Sequence, residues 1–215
     1  CLPRWKGAGS MTQSVRVKNM QAPLILASAS ARRHAILESL GVACEIIVPV
    51  VEEKEYLEDP TRTAVENCLR KNEWGRSRKP GCFVLAADTV IDLDGRVISK
   101  PRSLEEARHF FRMFSGRSHQ VVTAVAFSRP QLAPETRVGR STVLFKVVAE
   151  DVLDQYFKLV DPLDKAGGYD INDHGELIIE SLVGSRTNVM GLPAEIIMEW
   201  IAPAEKGNGC LWGQT

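Results

Sequence analysis

Short apolar runs alternate along the chain with segments that have helical character. The runs that predict strands are Leu24–Ser28, Cys44–Val50, Cys82–Ala87, His119–Ser128, Ser141–Val148 and Glu176–Leu182. The segments that predict helices are Ala31–Leu40, Thr61–Arg78, Leu104–Phe114, Asp151–Val160 and Pro193–Ile201. A hairpin is expected where Ile91–Leu93 and Val97–Ser99 flank the turn dipeptide Asp94-Gly95. Strands that alternate with helices predict an α/β fold with a mixed sheet.

The two ends of the chain lack this periodicity. Residues 1–20 contain Gly, Arg and Lys without an apolar repeat, and residues 203–215 look equally unstructured. We therefore expect a disordered leader and a disordered tail around a single domain at residues 21–202. The chain has 215 residues and is 44% hydrophobic, which is enough to build a substantial core.

Charge and cysteine content narrow the class of protein. The 27 basic and 27 acidic residues show no basic excess of the kind that nucleic-acid binders have, although a local cluster of Arg and Lys would still suit a small anion. The five cysteines form no CxxC pair, which argues against a disulfide framework or a zinc site and favours free thiols in a reducing cytosol. No apolar run approaches the ~18 residues that span a membrane. We therefore predict a cytoplasmic protein with neither a nucleic-acid nor a membrane partner.

The segment from Ser28 to Arg33 is the first candidate for chemistry. It follows a predicted strand and opens a predicted helix, whose free N–H groups and partial positive charge favour a phosphate. The hydroxyl groups of Ser28 and Ser30 and the guanidinium groups of Arg32 and Arg33 add further donors. The alternative is that Ser30 only caps the helix and that both arginines lie in solvent.

Asp88 directly follows the apolar run Cys82–Ala87. A carboxylate at the carboxyl end of a strand lies where open α/β folds bind ligands, and it can hold Mg²⁺ or activate water. Taken alone, Asp88 is more typical of a residue that caps the next turn.

Two further polar segments carry weaker signals. Lys100 is held beside a proline and could face a phosphate, but a solvated lysine is the commoner case. An acidic loop after the second predicted strand is typical of a solvated surface, although one member could serve a metal; its members are Glu52, Glu53, Glu55 and Glu58.

A glycine pair precedes Tyr169 and Asn172. Glycines allow the backbone to approach a ligand closely, so that Tyr169 could stack on a nucleotide base and Asn172 could hydrogen-bond to it. A tight turn with a packed tyrosine is the alternative. His119 on its own is more typical of a structural than of a catalytic residue.

The order and spacing of these motifs resemble the Maf family of nucleotide pyrophosphatases. The shared motifs are Leu26–Arg33, Ala87–Thr89, Lys100-Pro101, Ser115-Gly116 with His119 and Thr123–Val125, Asp164–Tyr169, and Val189–Pro193. The resemblance covers about Leu24 to Ile201, and six motifs in one order are not expected by chance. Ala31 stands where the family usually has a proline before the arginine pair, which affects only how the helix starts.

The resemblance implies a two-lobed α/β fold with a central twisted mixed sheet, flanking helices and a deep cleft, in the same broad class as the inosine triphosphate pyrophosphatases. It implies a homodimer that cuts the α–β phosphate bond of a nucleoside triphosphate with a divalent cation, Mg²⁺, Mn²⁺ or Co²⁺. Asp88 corresponds to the catalytic carboxylate, which activates water, holds the metal, or does both. The triphosphate would be bound by Ser28, Arg32, Arg33 and Lys100, with Lys71 as a further phosphate-side lysine and Glu53 as the metal-linked acid.

The same resemblance suggests the nucleotide. The motif Gly168–Ile171 is similar to that of the dTTP/UTP group, although Asn172 stands where that group carries glutamine. Because both side chains end in an amide, Asn172 is expected to contact the base, and dTTP and UTP are the expected substrates. The alternatives are a pyrophosphatase for 7-methyl-GTP or other modified nucleotides, an enzyme of the inosine-triphosphatase type, a non-enzymatic regulator of cell division, and a phosphate-sensing module.

Overall fold

The computed structural model describes residues 22–201. The predicted leader 1–20 and tail 203–215 lie outside the described residues. The strands are β1 Leu24–Ala27, β2 Glu45–Ile47, β3 Phe83–Leu93, β4 Arg96–Ile98, β5 Ser118–Ser128, β6 Glu135–Phe145 and β7 Ile179–Val183. The helices are α1 Ala31–Ser39, α2 Pro60–Arg78, α3 Leu104–Phe114, α4 Glu150–Leu159, α5 Arg186–Val189 and α6 Ala194–Ile201, with short 3₁₀ turns at Ala166–Gly168 and Gly175–Leu177.

The strands of the described part form one mixed sheet, as predicted. The order is β2-β1-β3-β5-β6-β7, and β4 pairs with β3 outside this path. Strand β1 runs parallel to β2 and β3, whereas all other neighbouring strands are antiparallel. Together with the helices on its faces, this sheet confirms the expected α/β class.

Strand β3 differs from the prediction. The apolar run was expected to end at Ala87, but the strand continues through Asp88 and Thr89 to Leu93 and also supplies the first arm of the hairpin. The reason is tertiary, because β5 pairs with β3 along almost its whole length. These backbone hydrogen bonds carry the strand across two polar residues that interrupt the apolar pattern.

The other edge of β3 has a gap. Strand β1 pairs with β3 only as far as Ala86, and β4 begins to pair at Ile91. Between these points the edge of β3 beside Asp88 has no neighbouring strand in the part of the chain that the structure describes. This gap, rather than the end of a strand, is the place where the sheet opens onto the cleft described below.

The bounds of three other strands also differ, and β7 begins at Ile179 instead of Glu176, because Gly175–Leu177 forms a 3₁₀ turn. Strand β6 covers Glu135–Phe145 instead of the predicted Ser141–Val148, because its first half pairs with β5 while carrying exposed polar side chains that break the apolar pattern. Strand β2 keeps only Glu45–Ile47 of the predicted Cys44–Val50, since it is an edge strand that pairs on one side with β1.

Successive side chains of the central strands point to opposite faces of the sheet and therefore pack in different cores. Ile25, Val84 and Ala86 pack in the core that includes α2, whereas Leu26 and Leu85 pack in the core that includes α1 and α6. Helix α2 lies very close to the sheet. A Cβ atom on Gly75 would lie 2.8 Å from Cγ1 of Val84, so glycine is what allows this approach.

A third core forms the second lobe. It contains Ile91 at the far end of β3 and buried aromatic side chains from α3, β6 and α4, namely Phe111, Phe145 and Tyr156. The core around α1 and α6 and the core around α3 and α4 are therefore built on opposite ends of β3. The cleft described below opens between them, in agreement with the expected two-lobed fold.

His119 lies in this third core and is structural. Its Nε2 is 2.8 Å from the hydroxyl oxygen of Tyr169, and the ring packs 4.5 Å from the ring of Phe114, measured between centroids. Its Nδ1 is buried and has no hydrogen-bond partner among residues 22–201. Burial therefore lowers the pKa of His119 to about 4.

This burial predicts a loss of stability in acid. Because the unfolded histidine has a pKa of 6.5 and the folded one about 4, the unfolded state binds a proton first. The contribution is fully present above pH 6.5 and is lost as the pH falls toward 4, by about 3 kcal/mol in the free energy of unfolding. Urea unfolding across this range should be less pH-dependent for His119→Gln than for the wild type, and equal pH dependence would contradict the assignment.

Three of the five cysteines lie in the part of the chain that the structure describes. Cys44, Cys68 and Cys82 are free, while Cys1 and Cys210 lie outside the described residues. Burial raises the pKa of Cys68 to about 12, which makes its thiol unreactive. Among residues 22–201, no helix is long and apolar enough to cross a membrane.

Candidate active site

A cleft of about 690 Å³ opens at the gap in β3. Its walls come from the β1–α1 loop, the acidic loop after β2, one face of α2, the middle of β3, the segment 164–171 and the segment 189–191. A cleft of this size can hold a nucleotide. Ser28, Arg32 and Arg33 line it together with Glu53, Lys71, Asp88 and Lys100, so the structure brings seven of the eight predicted site residues to one place.

Glu53, Lys71 and Asp88 form the charged centre of the cleft. The Nζ of Lys71 lies 2.5 Å from Oδ1 of Asp88 and 2.7 Å from Oε1 of Glu53. Lys71 and Asp88 are buried, with 7% and 6% of their surface exposed, whereas Glu53 is half exposed toward the cleft. One ammonium group therefore bridges two carboxylates, and we refer to the three residues as the Glu53–Lys71–Asp88 cluster.

Strand and helix periodicity place this cluster. On β3, Asp88 points to the same face as Ala86 and Val90, toward α2. On α2, Asn67 and Lys71 are one turn apart and both line the cleft. The amide of Asn67 accepts from the backbone N–H of Lys54 at 2.7 Å and donates to its carbonyl at 2.8 Å. This paired contact ties the acidic loop to α2 and holds Glu53 beside Lys71.

The surroundings shift the pKa values of the two carboxyl groups in opposite directions. Burial raises the pKa of Asp88, and Glu53 adds to this, although Lys71 and Arg33 oppose it. Burial also acts to raise the pKa of Glu53, but Lys71, Lys100 and Arg33 together outweigh it and hold that pKa below its ordinary value. Asp88 is therefore the better proton acceptor, while Glu53 stays charged.

The N-terminus of α1 forms the second part of the site. Ser30 caps the helix by accepting from the N–H of Arg33, as predicted, and Ser28 is buried beneath it. Arg33 does not lie in solvent. It donates from Nη1 to Ser28 Oγ at 3.2 Å, from Nη2 to Thr89 Oγ1 at 3.1 Å and from Nε to the carbonyl of Gly191 at 2.8 Å. Ser30 therefore caps the helix while Arg33 lies at the cleft.

Arg33 needs a glycine opposite it. Gly191 has a φ of 100°, and a Cβ atom there would lie 3.1 Å from Thr89 Oγ1 and 3.4 Å from Arg33 Nε. The positive φ and the close approach both favour glycine. Burial lowers the pKa of Arg33 and Asp88 acts against this, but an arginine remains charged.

Other cations surround the opening. Arg32 donates from Nη1 to Asp170 Oδ2 at 2.9 Å, which links α1 to the opposite lobe. Lys100 is exposed on the cleft wall and has no hydrogen bond to another described residue. Lys165, to which the sequence assigned no role, is buried at the cleft and contacts the carbonyl of Asp161 at 2.9 Å.

The structure does not bring Asn172 to the cleft. Its Oδ1 accepts from Nε of Arg186 at 2.8 Å, and the side chain is exposed outside the cleft lining. The role of this residue in base contact is thus not supported by its position. Asp170, two residues earlier, lines the cleft instead, because the hydroxyl of Tyr156 accepts from its backbone N–H at 2.9 Å and fixes the segment.

Tyr169 is packed rather than free to stack on a base. Only 5% of it is exposed, and its ring lies 5.0 Å from that of Phe145. The two glycines before Tyr169 are needed for the packing of this segment. A Cβ atom on Gly167, whose φ is 69°, would lie 2.2 Å from Cδ1 of Ile91, so the glycine pair lets this segment close over the core.

Glu53 and Asp88 fit a divalent cation that arrives with phosphate. Among residues 22–201, no cluster of three or more His, Cys, Asp or Glu side chains could hold a metal alone. Lys71 contacts one oxygen of each carboxylate, which leaves the second oxygen of each available. Mg²⁺ is commonly held by one or two carboxylates, with substrate phosphates and water completing its shell.

Comparison with known proteins identifies the family of this chain. The family model for Maf-like proteins matches residues 23–204. The dTTP/UTP pyrophosphatase of Thermotoga maritima is 39% identical over 189 residues, covering 86% of this chain and 89% of the relative. That of Akkermansia muciniphila is 40% identical over 181 residues, covering 84% and 95%. That of Thermus thermophilus is 42% identical over 171 residues, covering 80% and 89%. The chain therefore belongs to the family of Maf-like proteins.

Proposed function

We propose that this protein hydrolyses dTTP and UTP to the nucleoside monophosphate and pyrophosphate. The observation that carries the proposal is the Glu53–Lys71–Asp88 cluster, which faces Arg33 and the α1 N-terminus within one cleft of nucleotide size. The names of the 39–42% identical relatives support the reaction and the pyrimidine nucleotides.

The arrangement suits attack of water on the α-phosphorus. A triphosphate carries about four negative charges that repel a nucleophile, and the cationic side chains with the helix N-terminus offset them. Asp88 takes the proton from the attacking water, the new P–O bond forms, and the bond from the α-phosphorus to the bridging oxygen breaks. Pyrophosphate leaves with its charge stabilised by Arg33, Lys100 and Lys71.

A divalent cation is part of the proposal. Glu53 and Asp88 would hold it, and it would supply charge neutralisation of the phosphates and a lower pKa of water. We expect EDTA to abolish pyrophosphate release and Mg²⁺, Mn²⁺ or Co²⁺ to restore it. Glu53→Gln should require more metal for half-maximal rate at an unchanged melting temperature. Full activity in EDTA after exhaustive dialysis would contradict the role of a cation.

Pyrophosphate release from a nucleotide panel tests the function. The panel holds dTTP, UTP, CTP, GTP, ITP and 7-methyl-GTP, each at several concentrations, to give kcat/KM. Preference for dTTP and UTP is expected. A preference for 7-methyl-GTP or ITP would mean that the proposed substrate is wrong and that the proposed reaction is right. No release from any nucleotide would favour a non-enzymatic regulator or a phosphate sensor.

Asn172 offers a separate test of base recognition. Because its side chain is held by Arg186 outside the cleft, Asn172→Ala should change the ratio of kcat/KM for UTP and CTP by less than about twofold, as for an ordinary surface substitution. A large loss of discrimination would mean that Asn172 turns toward the base when the nucleotide binds, as the glutamine of the family would.

Homodimerisation and a cytoplasmic location complete the proposal. The family resemblance supports the homodimer, and the three free thiols agree with a reducing compartment. Sedimentation equilibrium of the full chain distinguishes a dimer from a monomer.

A further inference from the structure

The acidic loop that carries Glu53 has few backbone contacts of its own. It leaves β2 and has no regular secondary structure as far as Tyr56. The backbone of residues 49–53 forms no hydrogen bond to another backbone group in the described part of the chain. The ion pair with Lys71 does not fix the loop by itself, because the side chain of Glu53 is half exposed and water screens its charge. The position of Glu53 therefore depends on how the residues next to it are held.

Two buried polar side chains of α2 hold these residues. Asn67 accepts from the backbone N–H of Lys54 at 2.7 Å and donates to its carbonyl at 2.8 Å. Thr63, one turn earlier, accepts from the backbone N–H of Tyr56 at 2.9 Å. Four residues of helix rise ~6 Å, and two residues of extended chain cover about 6.6 Å. The two side chains can therefore bind alternate residues of the loop, as a neighbouring strand would.

The contact of Asn67 reaches Glu53 through one peptide group. The N–H of Lys54 lies in the same planar unit as the carbonyl group of Glu53. Because the hydrogen bond from this N–H fixes the plane, it restricts the rotation of the Glu53 backbone and the direction in which the side chain of Glu53 leaves the chain. An amide suits this place, because it offers an acceptor and a donor side by side.

We propose that Asn67 is a positioning residue, which sets the affinity for the divalent cation by holding Glu53 beside Asp88. Asp88 is fixed on β3, whereas Glu53 lies on an irregular loop, so the distance between the two carboxylates depends on how the loop is held. Removal of a group that orients a metal ligand typically lowers the affinity for the metal by about 10–100-fold. The inference rests on the proposed function, to which the cation belongs.

Asn67→Ala and Thr63→Val test this role. Each variant removes one contact to the loop, and valine keeps the shape of threonine. The probe is the non-hydrolysable α,β-methylene analogue of dTTP, whose Kd is measured by calorimetry in excess Mn²⁺ and in EDTA. The Kd in EDTA reports the contacts that the nucleotide makes without the cation, and the ratio of the two Kd values reports the coupling between cation and nucleotide.

Asn72→Ala is the matched control. Asn72 is a fully buried amide on the same helix, lies outside the cleft lining, and donates to the carbonyls of Val84 and Ala126 at 3.0 and 3.1 Å. Its replacement therefore removes comparable hydrogen bonds without a contact to the acidic loop.

The expected result is a loss of coupling without a loss of nucleotide contacts. Asn67→Ala should raise the Kd in Mn²⁺ by about tenfold or more, and it should leave the Kd in EDTA within about twofold of the wild-type value. Thr63→Val should show a smaller change in the same direction, because Tyr56 is farther than Lys54 from Glu53 in the chain. Asn72→Ala should lower the melting temperature and leave both Kd values unchanged.

A double-mutant cycle with Glu53→Gln tests the route of the effect. If Asn67 acts through Glu53, Asn67→Ala should weaken binding in Mn²⁺ no further once Glu53 is replaced. With an active wild type, additive weakening overturns this inference alone, as does an unchanged ratio of the two Kd values or an equal weakening in Mn²⁺ and in EDTA. A wild type that releases no pyrophosphate from any nucleotide overturns the proposed function and this inference with it.

Discussion

Asp88→Asn is expected to lower kcat by about 10²–10⁴-fold, the usual contribution of a positioned general base. The amide cannot take a proton from water and binds a cation poorly. Asn keeps the shape of the side chain and an oxygen that can accept from Lys71, so the fold should persist. Pyrophosphate release from dTTP at saturating metal, together with the melting temperature, measures both effects.

Asp92→Asn is the matched control for this substitution. Asp92 lies on the same strand, outside the cleft, and accepts from the N–H of Gly95 in the hairpin turn. An asparagine oxygen can keep that contact, so activity should remain near the wild-type value. If Asp88→Asn retains more than about a tenth of the wild-type rate, a barrier change under ~1.4 kcal/mol, Asp88 is not the catalytic carboxylate.

Arg33→Ala is expected to lower kcat by about 10²–10³-fold, as for the loss of one donor to a developing oxyanion. The melting temperature should also fall, although an arginine exposed at a cleft would leave it unchanged. The reason is structural: its three hydrogen bonds tie α1 to Ser28, Thr89 and Gly191. Their loss should reduce the free energy of unfolding by about 1–3 kcal/mol.

Arg33→Lys and Lys100→Ala separate the two effects. Arg33→Lys keeps the charge but lacks the planar fork, so it should recover only part of the activity and of the stability. Lys100 is exposed without a hydrogen bond to another described residue, so Lys100→Ala should reduce kcat/KM at an unchanged melting temperature. A normal kcat for Arg33→Ala with a lowered melting temperature would assign Arg33 a structural role alone.

Local pattern was sufficient for much of the fold. Among residues 22–201, apolar periodicity identified every helix of eight or more residues to within a few residues, and the capping of α1 by Ser30 followed from its position before that helix. These features depend on neighbours in the chain, which is why the sequence contains them. The pattern failed for β3 and β6, where pairing with β5 continues the strand through polar residues that interrupt the apolar run.

The candidate site shows the same division. Residue type and motif order singled out Asp88 and Arg33 as candidates, and the family resemblance added Lys71 and Glu53; together they supply the cations and the proton acceptor that a triphosphate needs. Only the tertiary structure could place the ammonium group of Lys71 between two carboxylates. That contact joins three segments that are distant in the chain.

By itself, then, the sequence determined the α/β class, the elements that repeat with a local period and the kinds of side chain available for phosphate chemistry. The tertiary structure decided that Asp88 lies within a strand beside a gap in the sheet, that Asn172 is held outside the cleft by Arg186, and that Thr89 accepts a hydrogen bond from Arg33. The physical reason is that each of these depends on strand pairing or on the direction of a hydrogen bond. Both are set by groups that meet only when the chain has folded.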